Sequence, residues 1–162
     1  MIKPIIFNDI IYRIASSEPE FETGRQLFRE YTESMGLDLG FQGFEAELES
    51  INIQYNAPRG ALILAYCDGN PVGCTGIREI DNTTAELKRM FVKPEYRGMK
   101  IGANLLIMAL ELAKGMHYEK IRLDSLETMK EARKLYDSFG FYEIGPYRFN
   151  PLPGPVFMEK IL

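Results

Sequence analysis

Residues 83–103 read Thr83-Thr84-Ala85-Glu86-Leu87-Lys88-Arg89-Met90-Phe91-Val92-Lys93-Pro94-Glu95-Tyr96-Arg97-Gly98-Met99-Lys100-Ile101-Gly102-Ala103, and this stretch decides the fold. Its first ten residues follow the period-two pattern of a strand. Lys93-Pro94 interrupts it. From Ile101 the spacing changes to that of a helix, with Ile101, Leu105, Met108 and Leu112 on one face and Gly115 near its end. Between strand and helix lies Arg97-Gly98-Met99-Lys100-Ile101-Gly102-Ala103. A helix start leaves backbone N–H groups without internal partners, and they point toward one spot. Gly98 and Gly102 allow close approach to the main chain, and Arg97 and Lys100 add positive charge suited to a pyrophosphate. Taken alone, such a segment reads equally as a structural turn.

Outward from this stretch, residues 61–67 and 72–80 alternate in the same way and join it through Asp-Gly-Asn and Asp-Asn turns, which predicts a three-stranded antiparallel meander. With Gly69-Asn70 as the first loop, Cys67 faces Val72, so the two cysteines, Cys67 and Cys74, are out of register for a bridge and read as reduced. Upstream, 11–15 reads as a short strand. Ser17-Glu18-Pro19 opens a helix whose apolar face holds Phe21, Leu27, Phe28 and Tyr31 and which ends near Gly36; a second helix is expected over 44–53. Downstream come a strand at 120–124 and a capping box at Thr128 and Glu131. The helix it opens carries Ala132, Leu135, Tyr136 and Phe139 and stops at Gly140, before strands at 141–144 and 156–162. Strand, helix, strand in the centre makes 83–92 and 120–124 parallel neighbours.

The 162 residues are about one domain's worth, and 46% hydrophobic content suffices for a core without disulfides or metal. The lone His117 and the two cysteines cannot build a zinc site. A net charge of -4 argues against a nucleic-acid coat; Lys88, Arg89, Lys93, Arg97 and Lys100 are basic, but strand-core positions interrupt them and no aromatic stacking motif accompanies them. No run of about twenty apolar residues could span a bilayer, and the first residues lack a signal-peptide pattern, so the expectation is a cytoplasmic protein without membrane or nucleic-acid partners. No G-x-x-x-x-G-K-[ST] motif occurs, and no G-x-G-x-x-G opens a first strand-helix unit.

Across Ala85-Glu86-Leu87, Val92-Lys93-Pro94-Glu95-Tyr96, Arg97-Gly98-Met99-Lys100-Ile101-Gly102, Ala132-Arg133-Lys134-Leu135-Tyr136 and Phe139-Gly140-Phe141, the chain resembles the GNAT superfamily of acetyl-CoA-dependent N-acetyltransferases, whose signature is [RQ]-x-x-G-x-[GA]. Residues 11–80 match in element order only. The resemblance implies a single α/β (α+β) domain over 1–162: a mixed, mostly antiparallel sheet of about seven strands, with central parallel strands that splay apart and helices on both faces. It implies that the main chain of Met90, Phe91 and Val92 pairs with the pantetheine arm of acetyl-CoA, and that of residues 98–103 with its pyrophosphate. Splayed strands leave unpaired backbone that an amide-containing arm can occupy like an extra strand. Two positions depart from the family: Lys100 stands where a glycine is usual, and Met129 where many relatives have an asparagine.

Attack on a thioester needs a neutral amine, so a proton acceptor is useful. Glu86 is the candidate, eleven residues before Arg97 as in several relatives, and about 13 Å upstream of Met90 at about 3.3 Å per residue. Its competing reading is a strand carboxylate paired with Lys88 or Arg89. Tyr136 matches the tyrosine that protonates the departing thiolate in many relatives, against a plain core tyrosine. Tyr31, Phe41, Tyr147, Arg148 and Asn150 are candidates for the acceptor pocket. The expected activity is acetyl transfer to a primary amine by direct attack in a ternary complex, without metal; the acceptor is open, and so is a homodimer. The alternative is a non-catalytic acyl-CoA sensor on the same fold.

Overall fold

The computed structural model of the protein describes residues 3–40 and 43–162. The chain runs β1 (Ile5–Phe7), β2 (Ile10–Ile14), α1 (Glu18–Met35), α2 (Phe44–Glu49), α3 (Ile51–Gln54), β3 (Ala61–Cys67), β4 (Asn70–Glu79) and β5 (Thr84–Val92). A 3-10 turn at Pro94–Tyr96 leads to α4 (Ile101–Gly115), followed by β6 (Lys120–Leu126), α5 (Lys130–Ser138), β7 (Tyr142–Ile144) and β8 (Pro155–Ile161). Eight strands form one sheet in the order β1-β2-β3-β4-β5-β6-β8-β7. Among the described residues only the central β5–β6 pair is parallel.

Alternation along the strands sorts side chains into two cores. Ile63, Ala65, Ala85, Leu87, Ile121 and Leu123 meet the α4 residues Ile101, Leu105 and Ala109 on one face. Leu62, Leu64, Cys74 and Phe91 meet Phe21, Leu27 and Phe28 of α1, with Leu48 and Ile51, on the other. Helices therefore cover both faces of the sheet, as expected.

The mixed, mostly antiparallel sheet of about seven strands is present, with eight strands among the described residues, the extra edge strand being Ile5-Ile6-Phe7 against β2; three exposed residues are too few for a burial pattern to announce them. Three local expectations are corrected. The β3–β4 loop is Asp68-Gly69, with Cys67 opposite Asn70 rather than Val72; both loop residues take positive φ, 49° and 79°, which Gly69 favours. The cysteines are free nonetheless. The helix expected over 44–53 is split at Ser50 into α2 and α3. The capping box at Thr128 is absent, the N-cap of α5 being Met129 without a side-chain bond. Reciprocal capping occurs at α1 instead, where Glu20 Oε2 accepts from the backbone N–H groups of Ser16 at 2.8 Å and Ser17 at 3.1 Å.

Two features of β5 position the site. First, its parallel pairing with β6 covers only Thr84–Glu86 against Lys120–Arg122; beyond that both strands continue without each other. The splay is thus real. Second, β5 carries a bulge. Register against β4 slips between Cys74 and Gly76, and Arg89 adopts φ 56°. The slip inverts the alternation: Ala85 and Leu87 face α4 before it, and Met90 and Val92 face α4 after it. Lys88 and Arg89, though adjacent, both fall on the α1 face.

Candidate active site

At the entrance to α4, Gly98 has φ 83° and Lys100, the N-cap, φ 61°. Only Arg97 of this turn closes a backbone bond, from its N–H to the Pro94 carbonyl. The amides of Gly98, Met99, Lys100, Ile101, Gly102 and Ala103 donate to no acceptor among the described residues; the first intrahelical partner appears at Asn104, bonded to the Lys100 carbonyl. Six consecutive free donors at a helix start form an anion cradle. A Cβ added at Gly98 would meet nothing within 4 Å, and one at Gly102 only Leu135 at 3.6 Å and Val92 at 3.9 Å, so neither position needs glycine for packing within the protein. The room they leave fits a ligand that must touch the main chain.

The splay opens two connected hollows. One, of about 360 Å³, is lined by Tyr31, Met90, Phe91, Arg97, Met129 and Ala132. It runs along the unpaired edge of β5 toward the cradle. The other, of about 40 Å³, shares Tyr31, Met35 and Met129 with it and continues to Arg89, Asp124 and Asn150. A roomier hollow of about 490 Å³ lies elsewhere, against Asn52, Arg59 and Glu79, and touches neither the cradle nor the splay; volume alone does not make it the site.

Around the small hollow the α1 face carries a network of buried charge. Glu86 is 0% exposed. Its Oε1 accepts from Arg78 Nε at 2.9 Å and Arg148 Nη2 at 2.8 Å, and its Oε2 accepts from the Tyr147 hydroxyl at 2.8 Å and lies 2.6 Å from Arg148 Nη2. Burial works to raise this carboxyl, but Lys88, Arg78, Arg148 and the Tyr147 bond outweigh it and hold it below the usual carboxylate range. Arg78 also reaches Glu47 at 3.3 Å, and Arg89 Nη2 pairs with Glu47 at 3.0 Å. Lys88 is 3% exposed; burial, then the neighbouring Arg89, brings its ammonium down to about 7. Opposite, on β6, Asp124 Oδ2 accepts from Asn150 Nδ2 at 3.1 Å.

Glu86, expected as the base, is enclosed, with both oxygens occupied by cations and a phenol, and faces neither hollow. Its competing reading as a paired strand carboxylate describes it better, though the partners are Arg78 and Arg148 rather than Lys88 or Arg89. Asp124 lines the hollow and was not singled out. Its signal was available in the parallel register: Glu86 lies beside Arg122, so two residues on, Lys88 and Asp124 share a face across the widening gap.

Tyr136 is 7% exposed, its ring 5.7 Å from that of Phe141, and its hydroxyl bonds to none of the described residues. Burial, with Tyr31 and Asp124 adding to it, pushes the phenol up, so it stays protonated at neutral pH. Tyr31 rises to about 12, also chiefly by burial. Of the acceptor candidates, Tyr31 and Asn150 line the hollow. Tyr147 and Arg148 clamp onto Glu86 instead. Phe41 lies outside the described residues. Among the described residues no group of three metal-binding side chains exists, and no helix is long and apolar enough to cross a membrane.

A sequence model described as the acetyltransferase (GNAT) family matches residues 21–141. An uncharacterised N-acetyltransferase of Schizosaccharomyces pombe is 32% identical over 161 residues, covering 98% of this chain and 97% of that one. Among solved structures, an acetyltransferase from Streptococcus agalactiae superposes with a TM-score of 0.80 at 22% identity, covering 96% of this chain and 100% of that one. The PaiA N-acetyltransferase of Thermoplasma acidophilum, solved in complex with coenzyme A, superposes with a TM-score of 0.66 at 22% identity over 93% and 99% of the two chains.

Proposed function

The chain belongs to the acetyltransferase (GNAT) family, and from that premise we propose that it transfers the acetyl group of acetyl-CoA to a primary amine by direct attack in a ternary complex. The observation that carries the reading is the coincidence of the six unpartnered amides at 98–103 with the splayed edge of β5. The cradle suits the pyrophosphate, with Arg97 and Lys100 adding charge, and the main chain of Met90–Val92 suits the amides of the pantetheine arm. Met129 contributes packing rather than a hydrogen bond.

The amine enters through the small hollow. Asp124 draws its ammonium form and takes the first proton, directly or through water; the freed nitrogen attacks the thioester carbon. As the C–N bond forms and the C–S bond breaks, nitrogen sheds one further proton and sulfur gains one, which the Tyr136 phenol supplies and then recovers. In this reading Glu86 is a positioning residue that fixes Arg78, Tyr147 and Arg148. The buried Cys74, whose thiol burial pushes up, and Cys67, at the β3–β4 turn, line neither hollow and serve as no acyl carrier in this reading.

Calorimetric titration with acetyl-CoA tests the reading. Binding is expected for the wild type and is lost in an Arg97→Glu, Lys100→Glu double variant. A folded wild-type protein that binds no acetyl-CoA overturns the assignment.

A further inference from the structure

The two hollows of the splay share the side chains of Tyr31, Met35 and Met129, so a group that reaches from the edge of β5 to Asp124 passes between these residues. Tyr31 and Met35 stand one turn apart on α1, and the Tyr31 ring lies against that of Phe91, with centroids 5.9 Å apart. Met129 faces them from the corner between β6 and α5. Its N–H donates to the Leu126 carbonyl at 2.9 Å, and its Sδ accepts from the hydroxyl of Ser125, 6% exposed, at 3.5 Å. A methionine has three rotatable bonds and fills irregular gaps by adapting to them. This one is instead held at both ends, at the main chain and at the thioether. Met35, the last residue of α1, has no such anchor among the described residues. Across this constriction the free volume falls from about 360 Å³ on the donor side to about 40 Å³ beside Asp124.

Resting on the acetyltransferase reading, we infer that Met129 sets the length of the acyl group taken from the CoA thioester: with Tyr31 and Met35 it forms a collar that fits an acetyl group and stops a long acyl chain. The pantetheine arm on the edge of β5 brings the thioester carbon to the collar, because that carbon must lie between the arm and an amine at Asp124. The acetyl methyl ends there. A hexanoyl group carries four further methylenes, and these have two ways to go. In the small hollow they take the place of the amine; to the side they meet Met129, which Ser125 and the Leu126 turn hold in their path. An open apolar channel would have the opposite effect, since each methylene removed from water strengthens binding about fourfold. The sign of the chain-length effect therefore reports the collar. The departure at residue 129 acquires a purpose in this way, for the asparagine usual in the family is a shorter side chain and would leave the passage wider.

The test is calorimetric titration of the wild type and two variants, Met129→Ala and Met129→Asn, with CoA, acetyl-CoA and hexanoyl-CoA. Ratios of affinity within the series cancel the contacts to the CoA portion, so a variant that only loosens the fold moves all three ligands alike. Residue 129 is the N-cap of α5, and asparagine is a favoured N-cap, so Met129→Asn shortens the side chain while keeping the helix start. The wild type is expected to bind hexanoyl-CoA at least about tenfold more weakly than acetyl-CoA, and the variants to narrow that gap to about threefold or less, or to reverse it. A smaller gap in the wild type, or a gap that the variants keep, overturns the inference and leaves acetyl transfer standing. If neither CoA nor its thioesters bind the wild type, the underlying reading fails with it.

Discussion

Replacing Glu86 by glutamine separates an anchoring carboxylate from a catalytic base. The substitution keeps the shape and removes a charge that Arg78 approaches at 2.9 Å and Arg148 at 2.6 Å. Arg78 retains Glu47 at 3.3 Å, whereas Arg148 loses its carboxylate. Breaking one side of a buried ion pair typically costs about 3–5 kcal/mol. The side chains of Arg78 and Arg148 keep 18% and 22% exposure, through which water recovers part of the loss, so the low end, about 3 kcal/mol, is expected. For a domain of this size that is a fall in Tm of about 6–12 °C. The pH dependence has a definite sign: the folded-state value of Glu86 is depressed, so its contribution is fully present above the unfolded carboxylate value, about 4.3, and is lost as pH falls through the folded value. Thermal melts from pH 7 downward should show the two proteins converging in acid. Acceptor KM should rise as residues 145–155 loosen, while the acidic limb of the rate profile persists. A variant as stable as the wild type, with turnover down a hundredfold or more and that limb abolished, would refute the anchoring argument and restore Glu86 as the base.

Lys100→Gly should stabilise the protein by up to about 1 kcal/mol, because φ 61° strains a residue with a Cβ; a lower midpoint in urea would contradict this. Tyr136→Phe should leave acetyl-CoA affinity and Tm nearly unchanged while lowering kcat about a hundredfold, and an unchanged kcat would make Tyr136 a packing residue only. Gly76→Ala places a Cβ 2.5 Å from the Tyr55 ring, which Glu47 holds through the Tyr55 hydroxyl at 2.6 Å, and should cost about 1–3 kcal/mol in a denaturant melt. Lys88, with a folded value near 7 against about 10.4 unfolded, should make the empty protein gain stability as pH rises from 7 toward 10; Lys88→Met should lack that gain, and parallel curves of Tm against pH would count against a buried ammonium.

The sheet was legible because its strands obey period two and its helices period 3.6 against two distinct cores. The cradle was legible because glycines and basic residues sit together where a strand hands over to a helix. The edge strand at Ile5–Phe7 escaped because all three residues are exposed, and the Thr128 capping box failed because sequence spacing does not ensure the cap geometry that Met129 takes up instead. The enclosure of Glu86 was hidden for another reason. Glu86 is occupied by Arg148 and Tyr147, some sixty residues away, a pairing that no local pattern encodes. The bulge at Arg89 was equally silent, since nothing in Lys-Arg-Met marks a residue that must take positive φ.

That bulge gives β5 the character of two short strands spliced out of phase. The half before the splice turns Glu86 and Lys88 into the buried charge network on the α1 face, and the half after it turns Met90 and Val92 to α4 along an edge that β6 leaves unpaired. Removing Arg89 would therefore heal the strand rather than throw it out of phase: Met90 and Val92 would follow Lys88 in regular alternation and keep their places against α4, and what would be lost is the second successive cation on the α1 face.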